Sequence, residues 1–305
     1  MFNSVSSCWR SGKILNAQFL IQNIKEVGLD SVELEFRIKP HVFEEIKRNV
    51  FDWGMKVSSL HAVCPSPEGR GRGAEAFFLN DSNEDNRKRA VEGIVTTMEH
   101  AQALNVKVIV VHAGMTDMDY PTDVMRTIYD KGKIKTPETQ KIKEKLKNIR
   151  YEAGKRCYEQ LLKSLIVINH EAMVRGIMVG LENRYHFHEM PGVQEFKDLL
   201  NAFHGGNIGY WHDTGHAHAQ ETLYDIPQKE LLENFSDKLI GIHLHDVVKG
   251  YKDHQEPGCG EIDFTMVKSF LQQDTIRVVE LNQTVSLKKA KQGVSFLKKM
   301  GIFTE

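Results

Sequence analysis

Six short segments of this chain end in a side chain that can bind a metal ion or move a proton. His61 closes Ser-Ser-Leu-His, His112 closes Val-Val-His, and Glu182 closes Gly-Leu-Glu. Asp213 opens Asp-Thr-Gly-His216-Ala-His218, His243 and His245 end Ile-His-Leu-His, and Glu280 ends Val-Val-Glu. Asp253 and His254 follow in a loop. Imidazole mixed with carboxylate suits zinc, manganese, iron or cobalt, whereas an all-oxygen set would suit magnesium or calcium. Unpaired carboxylates in apolar surroundings cost on the order of several kcal/mol, and a divalent cation removes that cost by coordinating them.

Each of these residues alone has a plainer account. His112 by itself reads as a hydrogen-bonded structural histidine, and Glu182 by itself as a salt-bridge partner of Arg184. Strand alternation puts His212 on the opposite side of its strand from Asp213. His218 also falls outside the donor set, and His245 shares a face with His243 but lies further out. The signal is the set. Independent structural residues need not fall at the same end of six successive strands.

The elements that must position them are short, β-branched, apolar runs over Phe2–Cys8, Ser31–Phe36, Lys56–Val63, Lys107–His112, Ile177–Glu182, Ile208–Asp213, Leu239–His245 and Ile276–Leu281. Amphipathic patterns predict helices over Ala17–Val27, Val42–Trp53, Asn86–Leu104, Ala153–Val174, Val193–Phe203, Gln228–Phe235, Phe264–Leu271 and Leu287–Met300. Strand and helix alternating eight times argue for a parallel sheet with crossover helices. In 305 residues that count predicts a (β/α)8 barrel, whose catalytic groups sit at the C-terminal ends of the strands. No glycine-rich phosphate turn follows the first strand, which argues against a doubly wound nucleotide-binding sheet. The expectation is one α/β domain over 1–305, with rim insertions at about 65–85 and 115–150. Arg70 and Arg72 in the first insertion offer a lid, against the plainer account of a surface loop.

Composition narrows the function classes. With 40 basic against 41 acidic residues, nothing draws the chain as a whole to nucleic acid or anionic lipid. No apolar run approaches the roughly 20 residues that cross a bilayer. Met1-Phe2-Asn3-Ser4 lacks the basic and apolar segments of a secretory signal, and Cys8, Cys64, Cys157 and Cys259 show neither metal-knuckle nor redox-pair spacing. A cytoplasmic location is therefore expected.

Glu182, Asp213-Thr-Gly-His216, His243-Leu-His-Asp, Pro257-Gly-Cys-Gly-Glu-Ile-Asp263-Phe264 and Glu280 together resemble the xylose isomerase-like TIM-barrel superfamily. That group includes sugar and sugar-phosphate isomerases and epimerases, and endonuclease IV. The resemblance implies one divalent ion held by Glu182, Asp213, His243 and Glu280. It implies proton transfer beside a carbonyl by Glu182 and Glu280, through an enediolate that the metal stabilises, with His216 on a substrate oxygen. Arg184 and His186, in the polar cluster Asn183-Arg184-Tyr185-His186, and His254 are expected to bind the substrate, a sugar or sugar phosphate.

The endonuclease IV branch implies two or three zinc ions and phosphodiester hydrolysis instead. There His61, His112 and Glu182 would form a first site, and Asp213, His243 and Glu280 would complete a second. His216 and His254 would serve a third, where Lys252 stands in place of that branch's aspartate and Asp253 is adjacent. The isomerase or epimerase is the favoured reading, the phosphodiesterase the alternative. A non-catalytic, metal-stabilised barrel ranks last, because strand-end donors with open coordination are a catalytic arrangement. Barrels of this class often pair, so a homo-oligomer is compatible with the sequence.

Overall fold

The computed structural model describes residues 2–65 and 78–303. Eight parallel strands close into a barrel: β1 (Asn3–Ser6), β2 (Ser31–Leu34), β3 (Lys56–His61), β4 (Val108–Val111), β5 (Met178–Glu182), β6 (Ile208–Asp213), β7 (Leu239–Leu244) and β8 (Ile276–Val279). Each strand pairs with its sequence neighbours, and β8 closes on β1. This is the expected (β/α)8 barrel. Several strands are shorter than the apolar runs. Cys8 already belongs to a helical turn, Cys8–Ser11, and His112, His245 and Glu280 stand one residue past their strands. A residue just beyond a strand still projects along the strand's alternation, so the donors keep the barrel axis within reach.

Alternation along the strands sorts the core into two parts. Outward-facing Val32, Leu34, Ile109, Val111, Val179, Leu181, Ile242 and Leu244 join the main hydrophobic cluster between sheet and helices. Inward-facing Val108, Val110, Trp211, Ile276 and Val278 fill the lower interior of the barrel. Trp211 takes its space from two glycines: Cβ atoms on Gly180 and Gly241 would run into its ring. Tyr210 points outward onto Phe196 and Phe235. The inward-facing histidines and acids begin one position above this apolar plug, which fixes where the chemistry can be.

Several of the helices start on a capping side chain. Asn16, Asn83, Thr136 and Ser286 each accept a backbone N–H of the first turn, satisfying one of the four orphan donors there. The second insertion is helical over most of its length, and the helix expected from Ala153 begins within it. A helix at Thr122–Asp130 is followed by one continuous helix, Pro137–Arg175, of 39 residues. Its many lysines do not break it, because straight-chain cations are good helix formers. Gly176, at φ +61°, ends it in the left-handed conformation. Lys143 of this helix is buried against Asp225 at 2.8 Å. Arg150 bonds both carboxylate oxygens of Glu195 and the carbonyls of Phe187 and Glu189. Arg70 and Arg72, with most of the first insertion, lie outside the described residues. Among the described residues no helix is long and apolar enough to cross a membrane.

Candidate functional site

The inward position above the apolar plug is occupied on β5, β6, β7 and β8 by Glu182, Asp213, His243 and Glu280. These four bring one donor atom each within 4.8 Å of one another, and all are buried. His243 is the hub. Its Nδ1 lies 2.7 Å from Glu182 Oε1, 3.0 Å from Glu280 Oε2 and 3.7 Å from Asp213 Oδ2. Three carboxylates in an apolar barrel need a cation among them, and here the His243 ring takes that place. Burial presses its pKa down, but Glu280, Glu33 and Glu182 outweigh burial and hold it well above 6.5. The same contacts act in reverse on the acids. Burial pushes Glu182 and Glu280 up, yet His243, with His112 and His61 on one side and His254 on the other, keeps both well below the usual carboxylate range. Asp213 is likewise held low, against burial, by His216 and His245.

This donor set fits a divalent ion. Three carboxylates and one imidazole suit a borderline transition metal, and one donor atom from each converges on a common point. Nδ1 would bind, and it must give up its proton to do so. Nε2 then faces Glu33, at 3.1 and 3.3 Å from the two carboxylate oxygens. A carboxylate on the far nitrogen fixes the tautomer and raises ligand basicity. Glu33 in turn accepts a hydrogen bond from Ser59 at 2.8 Å.

Sequence reasoning missed Glu33. It assigned polar strand ends to six strands and passed over Ser-Val-Glu33-Leu-Glu35 on β2, where both acids share the inward alternation and are fully buried. The signal was available: two acids two apart in an apolar run.

Two further donor groups flank the first. Glu182 Oε2 lies 2.8 Å from His112 Nε2 and 3.4 Å from His61 Nε2, so its two oxygens face different partners. His216, Asp253 and His254 form the other group. Asp253, and not Lys252, is the acid here, with its carboxylate 3.1 Å from His254 Nδ1 and 4.0 Å from His216 Nε2. It sits there because Lys252–Gln255 pairs back on Asp246–Val248 as a two-stranded ribbon. His254 adopts φ +55°, an uncommon conformation for a non-glycine residue, and its N–H donates to His245 Nδ1 at 2.8 Å. That bond leaves the His245 proton on Nε2, which donates to Asp213 Oδ2 at 2.9 Å. His245 therefore supports Asp213. His212 is buried on the far side of β6 against Tyr210 and Gln228, and burial lowers its pKa to about 3. His218 faces Glu261.

The His216 backbone N–H donates to Asp213 Oδ1 at 2.7 Å, so the aspartate is also the N-cap of helix Thr214–Tyr224. Asp246 organises the loop that follows. Its carboxylate accepts the N–H groups of Val247, Gly258, Gly260 and Ile262, which accounts for the Pro257-Gly-Cys-Gly-Glu-Ile segment.

Above the donors opens a cavity of about 450 Å³, lined by Phe36, Arg37, Arg126, Arg184, Tyr185 and His186 together with the donors. Arg184 bonds Glu189 at 2.7 Å and reaches Glu182 at 3.4 Å. His186 contacts Tyr120 at 2.8 Å, and burial lowers its pKa to about 4. A larger cleft of about 690 Å³ lies behind this wall, between the long helix and helix Val193–Ala202. None of the three donor groups found among the described residues opens into it.

The fold and donor geometry define a TIM barrel with a metal-capable centre at the C-terminal strand ends. The chain belongs to the xylose isomerase-like TIM barrel family, whose profile matches residues 21–300. It is 21% identical over 234 residues to an uncharacterised protein, y4fM, of Sinorhizobium fredii, covering 73% of this chain. The chain spans 65% of that relative, less than two thirds of its length. A solved structure of a D-tagatose 3-epimerase-like protein is similar at 21% identity and TM-score 0.67, covering 99% of this chain and 97% of that one. The IolI protein with a bound zinc atom is similar at 15% identity and TM-score 0.67, over the whole of both chains. At such identities these likenesses establish the fold.

Proposed function

We propose that this protein is a divalent-metal-dependent isomerase or epimerase of a sugar-like small molecule. The observation that carries the reading is the placement of two buried carboxylates, Glu182 and Glu280, on either side of one imidazole nitrogen beneath a cavity of small-molecule size. A metal held by Glu182, Asp213, His243 and Glu280 supplies a Lewis acid for the oxygen charge that develops when a carbon beside a carbonyl loses its proton. Glu182, held ionised, takes the proton on one side of the substrate, and Glu280, once it has picked up a proton from solvent, delivers one on the other. His216, Arg184, His186 and His254 surround the substrate hydroxyls. The likeness to an epimerase-like protein and to a zinc-bearing relative supports this reading.

The alternative is a multinuclear zinc phosphodiesterase of the abasic-site endonuclease kind. It draws support from the additional donor groups His61–His112–Glu182 and His216–Asp253–His254. A direct test separates the two. Metal-loaded protein in D2O is expected to exchange the proton beside a ketose carbonyl, as read by NMR, and to leave an abasic-site duplex intact. Cleavage of the duplex without exchange would replace the first reading by the second. Metal content is the companion measurement: His61→Ala and His112→Ala should each retain about one ion per chain under the isomerase reading.

A further inference from the structure

Three guanidiniums line the cavity above the donors: Arg37, Arg126 and Arg184. They differ in how their charge is already answered. Arg184 is buried and bonded to Glu189, itself buried, with Glu182 as a second acid. Arg37 pairs at 3.2 Å with Glu35, a buried carboxylate. Arg126, contributed by the insertion helix Thr122–Asp130, has among the described residues a single acidic partner, Asp123 at 3.1 Å, whose side chain is 74% exposed. A pair of that kind contributes little, because water already solvates the acid. Arg126 thus carries the least compensated cation in the cavity.

It is also held ready. Its Nε donates to the Tyr185 hydroxyl at 3.2 Å, and that hydroxyl donates onward to the Tyr251 carbonyl at 2.6 Å. Tyr185 therefore acts as a fixed acceptor. The guanidinium carbon lies 5.0 Å from the Tyr185 ring centre and 5.5 Å from that of Tyr251, a stacked seat that suits arginine and not lysine. Its remaining nitrogen, Nη2, has no hydrogen-bond partner among the described residues. A preorganised guanidinium with a free edge over a cavity is a receptor for a carboxylate or phosphate oxygen pair. Tyr185 stands between Arg126 and the donors, its ring 5.9 Å from that of His216.

We infer that Arg126 binds an anionic substituent of the substrate, a phosphate monoester or a carboxylate, and that the enzyme acts on charged sugars in preference to neutral ones. The inference rests on the proposed isomerase chemistry for its substrate class, while the anion site itself stands on the geometry of Arg126.

The experiment keeps the two apart. Inorganic phosphate is titrated calorimetrically into manganese-loaded wild-type protein, Arg126→Gln and Arg126→Lys. Arg126→Gln should weaken phosphate binding at least fivefold, and Arg126→Lys should restore part of it. Equal binding by wild type and Arg126→Gln, or no binding by wild type, overturns the anion site. Solvent deuterium exchange is then measured with D-fructose, D-fructose 6-phosphate and D-fructuronate. The wild type should favour one of the charged ketoses by about tenfold to a hundredfold in kcat/KM, the range of a hydrogen bond to a charged group. The favoured one tells phosphate from carboxylate. In Arg126→Gln the ratio should fall to within about threefold of unity, chiefly through KM, a change that a merely structural role for Arg126 would not produce. A wild type that prefers D-fructose overturns the charged-substrate inference. Absence of exchange from all three ketoses overturns the isomerase chemistry and leaves the phosphate titration to decide the anion site.

Discussion

Glu33 offers the sharpest test of the centre, because it touches no substrate-facing atom and acts only through His243. In Glu33→Gln the amide keeps the carboxylate's shape. Its oxygen can still accept from His243 Nε2 at about the present 3.1 Å, and its NH2 can turn toward Ser59. What is lost is the charge. A hydrogen bond to a charged group is worth about 1.5–3 kcal/mol and a neutral one about 0.5–1.5 kcal/mol. The difference, about 1–1.5 kcal/mol, corresponds to roughly a five- to tenfold weaker metal complex. The sign is fixed by competition at Nδ1. Glu33 stabilises whatever cation sits there, but a dication gains more than the single proton it displaces. Glu33→Ala leaves both His243 Nε2 and Ser59 without their acceptor in a fully buried site, so its loss should approach about a hundredfold, the upper range for such outer partners. Competition titration against a chromogenic chelator measures both variants, with Glu182→Gln as the reference for a lost ligand. If Glu33→Gln and Glu33→Ala bind manganese as tightly as wild type, the centre is not built on Nδ1 of His243 and the argument fails.

Other outcomes follow from the same geometry. The ionic contacts among His243, Glu182 and Glu280 should stabilise the metal-free protein most between about pH 4.5 and 6.5. The raised pKa of His243 stabilises fully below 6.5 and is lost as pH rises through the folded value. The lowered pKa values of Glu182 and Glu280 stabilise above 4.5 and are lost as pH falls through theirs. Melting temperatures against pH should show both flanks with EDTA and a flattened alkaline flank with metal, which replaces the proton. Metal binding should release about one proton per ion near neutral pH, seen as a buffer-dependent heat in calorimetry. Gly241→Ala should cost about 1–3 kcal/mol in denaturant unfolding, because its methyl group meets the Trp211 ring beside His243. Asp246→Ala should cost about 2–3 kcal/mol and expose the segment 252–262 to limited proteolysis, as four backbone N–H groups lose one acceptor.

The barrel and its inner donors were legible because two periodicities coincide. Alternation within a strand and repetition of the strand–helix unit bring Glu182, Asp213, His243 and Glu280 to one level on one side of the sheet. Glu33 escaped because its acid sits in mid-strand and not at the end of a run, where only a strict reading of alternation finds it. Asp253 was not resolvable from Lys252 because one step of register decides which faces inward, and that register is set by the ribbon Asp246–Val248 with Lys252–Gln255. Arg126 was hidden for a different reason. Its place over the cavity depends on how residues 115–150 return to the barrel, and composition alone does not give that path.

The 39-residue helix is about 58 Å long at 1.5 Å per residue. Clamped through Lys143 to Asp225 and through Arg150 to Glu195, it behaves as a strut braced at two points. The segment Thr122–Asp130 connects to that strut through residues 131–136. The bank of the opening that carries Arg126 is thereby tied to the barrel through the strut, and a substitution that loosens Lys143 or Arg150 would reach the cavity along it.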